Sequence, residues 1–163
     1  MVLCSLFAAL TAVCAWISLP VADIAFTLQT FAVFLSLGLL GGKWGCVSIL
    51  IYLTLGAVGL PVFAGFRGGI GMLLGTTGGY LWGFLAGGLV YWGLEKLCKP
   101  LGMIAGLLAC YLCGTWWFSL YAGGAGFWAS MVKCVVPYLI PDGVKLYLAR
   151  TLSEKLKKHQ CFC

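Results

Sequence analysis

The sequence predicts an all-α integral membrane protein with six transmembrane helices and both termini on the cytoplasmic side. Apolar residues make up 63% of the 163 residues and charged residues only 9%, whereas a soluble domain is about half apolar and a quarter charged. The apolar residues are grouped into segments that suit helices of about 20 residues, the length that crosses roughly 30 Å of hydrocarbon. The distribution of lysine and arginine between these segments gives the orientation.

Charges and helix breakers separate six apolar segments. They span residues 2–19, 25–41, 45–62, 78–95, 101–121 and 138–152. No basic residue precedes the first segment and small residues recur along it, so we interpret it as a retained helix and not as a signal peptide. We therefore expect residues 1–163 to form one membrane-embedded domain, with a basic cytoplasmic tail from about residue 153.

The cations are unequally divided between the two sides of this arrangement. With the N-terminus inside, Arg67 and Lys133 lie outside, and the inner side receives Lys43, Lys96, Lys99, Arg150, Lys155, Lys157 and Lys158. The positive-inside rule then favours N-in and C-in. A basic tail that faces anionic lipid explains the net charge of +6 without a nucleic-acid partner.

Residue sets for catalysis or metal binding are mostly missing. The nine cysteines are scattered, and "CYLC" at 110–113 has no second pair or histidine cluster at ligand spacing. We interpret the terminal "HQCFC", which holds the single histidine, as a frayed end. No two of the four acidic residues lie close enough in sequence to suggest a carboxylate pair; they are Asp23, Glu95, Asp142 and Glu154. The sequence therefore predicts no enzyme, no cofactor and no bound metal.

Two ionisable residues lie within the last apolar segment. Asp142 and Lys145 are three residues apart, so they share one face of a helix. Asp142 precedes Lys158 by sixteen residues, about 24 Å of helix, which puts the pair in the outer part of the bilayer and marks it as a site. Pro141 predicts a helix start whose free N–H groups hold the carboxylate ionised. The alternative is that Asp142 only caps a helix and Lys145 extends towards the membrane surface.

The glycine-rich stretch "FAGFRGGIGMLLGTTGGYLWGF" at 63–84 has two halves. Gly79, Gly83 and Gly87 recur every four residues, which indicates close helix packing in lipid, and "GTT" supplies a threonine N-cap for that helix. The first half cannot face lipid, because its unpaired backbone groups would be costly there. We expect it to be a lid that carries Arg67 over a small-molecule site; the alternative is an ordinary exposed loop.

Several motifs in the same order resemble one family. They are "ISLP" at 17–20, "LQTFAVFL" at 28–35, "YLTLGAVGLPVFAG" at 52–65, "GTTGGYLWGF" at 75–84 and "VPYLIPDGVKLYLA" at 136–149. The sequence resembles the BioY family, the biotin-specific substrate-capture subunits (S components) of energy-coupling-factor (ECF) vitamin transporters. Thr76 departs from the family's G-P-T-G-G-Y, and "GFRGG" replaces a smaller glycine/serine loop.

The resemblance implies a six-helix S-component fold in the plasma membrane of a prokaryote. It also implies capture of external biotin and assembly with a transmembrane coupling subunit and two cytoplasmic ATPases. Asp142 and Lys145 match the family's P-G-D-x-x-K from the aspartate onward. The other pocket motifs fall on Gln29, Thr30, Thr77, Gly78, Gly79 and Tyr80, although Tyr80 equally suits a membrane-interface anchor.

The chemistry of biotin suits these residues. Its ureido ring has two N–H donors and one carbonyl acceptor, so Asp142 can accept from the ring and Lys145 can donate to it. The valerate carboxylate needs a cation, which is either Arg67 or Lys145.

A partner-binding face is predicted on the first helix. Ala8 and Ala12 match the alanine motif with which S components contact the coupling subunit. Small residues suit such a contact, because they allow two helices to approach closely. The alternative is packing within the chain. We expect a biotin-binding transport subunit that catalyses no reaction; the alternatives are an S component for another vitamin and a small membrane enzyme.

Overall fold

The computed structural model describes residues 1–20, 25–121 and 127–160. Asp23 and the terminal residues 161–163 lie outside these ranges. The helices and strands within the described ranges are α1 (Val2–Trp16), β1 (Ser18–Pro20), β2 (Ala25–Thr27), α2 (Gln29–Leu40), α3 (Gly42–Ala57), α4 (Ile70–Leu74), α5 (Gly78–Leu94), α6 (Lys99–Tyr121), α7 (Phe127–Cys134) and α8 (Val136–Gln160).

The six longest helices, α1, α2, α3, α5, α6 and α8, correspond to the six predicted segments. Several of the predicted boundaries are wrong. The first segment was predicted to extend to residue 19, but α1 ends at Trp16 and Ser18–Pro20 form β1. Residues 25–27 form β2, which pairs with β1 in an antiparallel hairpin, because this stretch is rich in residues that favour strands. The third segment stops at Ala57, since Gly59 adopts a φ of +108° and Pro61 follows. The predicted tail is helical as far as Gln160.

Helix length alone does not establish six membrane spans. Among the described helices, Lys99–Tyr121 is long and apolar enough to cross a membrane, and Val2–Trp16, Gln29–Leu40 and Gly42–Ala57 are shorter apolar helices. The count of six therefore remains a prediction.

The glycine stripe of α5 packs against α6, as predicted. A Cβ atom at Gly79 would overlap the side chain of Trp117, and one at Gly87 would overlap the backbone of Gly106. At Gly83 an added Cβ would lie 2.9 Å from the carbonyl oxygen of Cys110. The two backbones therefore approach more closely than any larger residue would permit.

The turns that follow α2 and α5 meet the last turns of α8 at one end of the molecule. The Gly42 amide at the start of α3 donates to the Glu95 carboxylate at 2.7 Å. Burial, and then the neighbouring Lys99 ammonium, lower the pKa of Lys157. The start of α1 is at the same end, because the Cys4 thiol contacts the Trp44 carbonyl oxygen at 3.6 Å.

The bond between Glu95 and Gly42 predicts a measurable contribution to stability. Glu95→Ala should lower the free energy of unfolding by about 1 kcal/mol, because it removes an anionic acceptor from a helix N-terminus. Glu154→Ala is the matched control, since Glu154 pairs with Arg150 at 2.9 Å while both side chains are largely exposed and such a pair contributes little. Thermal unfolding of the detergent-solubilised chain checks this; equal melting temperatures for the two variants would contradict it.

The small-residue face of α1 points into the chain. Ala8 is 1% exposed and Ala12 is 5% exposed, and both belong to the hydrophobic core. On the neighbouring helix α3, the Ser48 hydroxyl donates to the Cys4 carbonyl at 3.0 Å. The predicted partner face is therefore not available on the surface of this structure, and the alternative, packing within the chain, explains these two alanines.

Candidate ligand-binding site

A cavity of about 530 Å³ lies between α5, α6, α8 and the segment that joins α3 to α5. Small-molecule sites typically have volumes of about 300–1,000 Å³. Seven of the nine predicted ligand-binding residues line the cavity: Gln29, Thr30, Arg67, Thr77, Tyr80, Asp142 and Lys145. The prediction that the glycine-rich stretch covers protein or lines a cavity is confirmed, because five residues between 64 and 75 contribute to the wall.

Asp142 and Lys145 form a buried ion pair in the cavity wall. Each residue is 5% exposed, and Lys145 Nζ donates to Asp142 Oδ1 at 2.6 Å. Lys145 also donates to the Thr27 carbonyl at 2.7 Å, and its ammonium lies 3.7 Å from the centre of the Phe26 ring. The Tyr111 hydroxyl donates to Asp142 Oδ2 at 2.6 Å. The prediction of a shared face is confirmed, and the alternative of an outward-pointing lysine is wrong.

The predicted helix start at Pro141 is wrong. Helix α8 begins at Val136, and Pro141 lies inside it. Pro137 occupies the first turn, where a missing N–H costs nothing. Asp142 is therefore not at a helix N-terminus, and the groups that bind its carboxylate are Tyr111 and Lys145.

Gln29 is connected both to the ion pair and to the loop above the cavity. Its backbone N–H donates to Thr27 Oγ1 at 3.4 Å, and the carbonyl of Thr27 accepts a hydrogen bond from Lys145. Its side-chain Nε2 donates to Tyr52 Oη at 2.9 Å, and the Tyr52 hydroxyl donates to the Val62 carbonyl at 3.1 Å. Gln29 is only 4% exposed, so its amide is a fixed part of the wall.

Residues 58–69, which we call the lid segment, form an ordered loop. Its hairpin is closed by a bond of 2.9 Å from the Phe63 N–H to the Arg67 carbonyl. Between them, Phe66 adopts a φ of +57°, in the left-handed region that costs energy for a residue with a side chain. Phe63 is buried, whereas Arg67 is exposed at the cavity rim.

The lid segment is attached to the end of α1. Trp16 Nε1 donates to the Pro61 carbonyl at 2.8 Å. The Trp16 ring also stacks on Phe66, with 5.0 Å between ring centroids. The lid segment is therefore supported by α1 on its outer side and by Tyr52 on its inner side.

Two predicted site residues do not line the cavity, namely Gly78 and Gly79. A Cβ at Gly78 would overlap the Leu73 carbonyl, so Gly78, like Gly79, serves packing. Thr77 is the N-cap of α5 as predicted, but its side chain makes no capping hydrogen bond. The Tyr80 hydroxyl oxygen is buried, which is unlike a membrane-interface anchor.

The sequence-based interpretation missed several wall residues. Tyr111 lies in a long apolar helix where nothing distinguishes it from its neighbours. The Phe26 ring, which contacts the Lys145 ammonium but is not among the residues that line the cavity, lies in a stretch that was interpreted as helix. The apolar wall includes other residues that were not predicted, among them Phe63, Met72, Phe84, Leu107 and Tyr138.

The model of the BioY family matches residues 1–160. The chain belongs to the BioY family. The resemblance seen in the sequence motifs is thereby confirmed.

Other BioY proteins align with almost the entire chain. A "Probable biotin transporter BioY" of Pyrococcus horikoshii is 43% identical, over 95% of this chain and 94% of the relative. A "Biotin transporter BioY" of Thermotoga maritima is 39% identical, over 94% of this chain and 92% of the relative. Both relatives are named as biotin transporters.

The fold of this BioY chain also matches a solved structure. The S-component for biotin from an ECF-type ABC transporter superposes with a TM-score of 0.87, over 96% of this chain and 89% of that chain, at 23% sequence identity. The predicted S-component fold, an all-α membrane fold, is confirmed. Family and fold together imply a membrane location.

Proposed function

We propose that the chain is the biotin-capturing S component of an ECF transporter and that it binds external biotin in the cavity described above. The observation that carries the proposal is the buried pair of Asp142 and Lys145, which faces an open cavity of suitable size. Buried ionisable groups in membrane proteins are costly and by default mark a site. The names of the relatives, which are biotin transporters, indicate biotin as the ligand.

The unused hydrogen-bonding capacity of the pair suits a ureido ring. Each Asp142 oxygen has two lone pairs and receives one hydrogen bond from the described residues, so the carboxylate has acceptors left for ring N–H groups. The Lys145 ammonium has three N–H groups, and two of them form hydrogen bonds with described residues, to Asp142 and Thr27. The third is the donor we assign to the ureido carbonyl.

Arg67 is the cation that we assign to the valerate carboxylate. Lys145 is neutralised by Asp142 at 2.6 Å, whereas Arg67 forms no ion pair within the described part of the chain. Guanidinium groups bind carboxylates in a bidentate way. Biotin would then lie with its ring beside α8 and its acid group at the rim.

An arginine at the rim predicts a difference between two ligands. Arg67→Ala should weaken biotin about tenfold, because it removes a charge-assisted bond of about 1.5 kcal/mol. It should hardly affect biotin amide, whose neutral head group forms no ion pair. Isothermal titration of both ligands measures the difference, and Arg67→Lys is the matched control that keeps the charge. Equal losses of affinity for the two ligands would contradict the assignment. Lys145 would then be the cation assigned to the valerate carboxylate.

We further propose that the chain crosses the plasma membrane six times with both termini inside. The clustering of Lys99, Lys157 and the start of α1 at one end supports this orientation, because basic residues favour the cytoplasmic side. The cavity rim then faces outward. A coupling subunit and two ATPases would supply the energy for release, since the chain carries no nucleotide-binding motif in its sequence.

A panel of vitamins tests the ligand assignment. Biotin, thiamine and riboflavin are each titrated into the purified chain in detergent. We expect saturable binding of biotin alone, with recovery of unchanged ligand. Saturable binding of another vitamin in preference to biotin would support the S component for a different vitamin, and turnover of a bound ligand would support the membrane enzyme.

A further inference from the structure

One buried tyrosine on α3 joins a cavity residue to the lid segment. Tyr52 is 0% exposed, and its ring packs edge-on against Phe63 with 5.5 Å between centroids. Its hydroxyl oxygen accepts from Gln29 Nε2 at 2.9 Å and donates to the Val62 carbonyl at 3.1 Å. Gln29 lines the cavity, whereas Val62 belongs to the lid segment.

The direction of these two bonds is fixed by chemistry. A phenol has one hydroxyl hydrogen, and a carbonyl oxygen can only accept a hydrogen bond. The Tyr52 hydroxyl therefore donates its hydrogen to the Val62 carbonyl. Towards Gln29 the tyrosine presents a lone pair, which can accept from the amide NH₂ but repels the amide oxygen. Within the described part of the chain, Tyr52 is the hydrogen-bond partner of the Gln29 side chain, so Gln29 Oε1 and the second N–H are available to a ligand.

We propose that Tyr52 is a positioning residue that couples closure of the lid segment to the orientation of the Gln29 amide. With Val62 in place, Gln29 presents Oε1 to the ligand as a second acceptor. When the lid segment moves away, the tyrosine hydrogen is released and the amide is free to turn. The inference rests on the proposed function, because the second ureido N–H supplies the donor for Oε1.

The positions of the neighbouring groups support this assignment. The Thr27 hydroxyl accepts from the backbone N–H of Gln29, and the Thr27 carbonyl accepts from Lys145, so the backbone of residue 29 lies near the ion pair. Gln29, Asp142 and Lys145 line the same cavity. Asp142 would accept from one ureido N–H, Gln29 from the other, and Lys145 would donate to the carbonyl. An amide turned the other way would place its NH₂ against a ligand N–H, and two donors facing each other are unfavourable.

A double-mutant cycle tests whether Tyr52 acts through Gln29. Biotin affinity is measured for the wild type, Tyr52→Phe, Gln29→Ala and the double variant. Phenylalanine keeps the buried ring and removes only the hydroxyl. We expect Tyr52→Phe to weaken biotin about fivefold to tenfold in the wild-type background and less than twofold when Gln29 is alanine. Equal losses in both backgrounds would overturn the proposal.

A second measurement needs neither biotin nor a variant. Nuclear magnetic resonance of the ¹⁵N-labelled Gln29 side chain in lipid nanodiscs should show that one of the two Nε2 protons exchanges much more slowly with water than the other, because Tyr52 accepts it. Rapid exchange of both protons would overturn the proposal even if Tyr52→Phe fails to fold. If the wild type fails to bind biotin, the proposed function is wrong, while this spectrum still decides the role of Tyr52.

Discussion

Asp142→Asn should weaken biotin binding at least tenfold and should also destabilise the chain. The substitution removes a charge-assisted acceptor, which contributes about 1.5–3 kcal/mol. It also leaves the Lys145 ammonium, which is 5% exposed, as an unpaired buried cation. Removing one partner of a buried pair typically costs about 3–5 kcal/mol. Titration calorimetry and thermal unfolding measure the two losses.

A charge-neutral double variant separates these two effects. Asp142→Asn with Lys145→Met removes both charges, and methionine packs well against an aromatic ring such as Phe26. Because the double variant leaves no unpaired buried charge, the largest cost of breaking the pair is avoided, and we expect a melting temperature near that of the wild type. Biotin binding should remain weakened at least tenfold. A double variant that binds biotin normally would exclude the ion pair from the site.

Ala8→Leu combined with Ala12→Leu should destabilise the chain itself. Both alanines are buried in the core, and the backbone of α1 lies close enough to α3 for Ser48 to bond the Cys4 carbonyl. Inserting larger side chains into a packed core typically costs about 1–3 kcal/mol each. Thermal unfolding and the yield of monodisperse protein in detergent report the loss.

Ala9→Leu is the matched control on the same helix. Ala9 is exposed, so a leucine there should leave the melting temperature unchanged within error. An Ala8 and Ala12 double variant that is as stable as the Ala9 variant, and that fails only to co-purify with the coupling subunit, would contradict our interpretation. That result would support the partner-binding face on α1 that was predicted from the sequence.

The parts of the structure that the sequence predicted well rest on strong periodic or energetic signals. The glycines of α5 have a four-residue spacing that only close packing explains. The Asp142 and Lys145 pair is conspicuous because charges are rare in an apolar segment. The first half of the glycine-rich stretch was predicted to cover protein or to line a cavity, because its backbone groups are too polar to face lipid.

The missed features depend on tertiary contacts that leave no local pattern. Tyr111 contacts Asp142 across 31 residues of sequence, and Tyr52 contacts Gln29 across 23. The start of α8 was misplaced because two prolines, Pro137 and Pro141, both suit a first turn. The direction of the Ala8 and Ala12 face was left open, because small residues favour packing within a chain and between chains equally.

The structure of the chain with biotin bound tests the central claim most directly. We predict that the ureido ring lies within hydrogen-bond distance of Asp142, Lys145 and Gln29 and that the valerate carboxylate lies against Arg67. Biotin bound the other way round, with its carboxylate on Lys145 and its ring at the rim, would contradict the account, as would biotin bound outside the cavity.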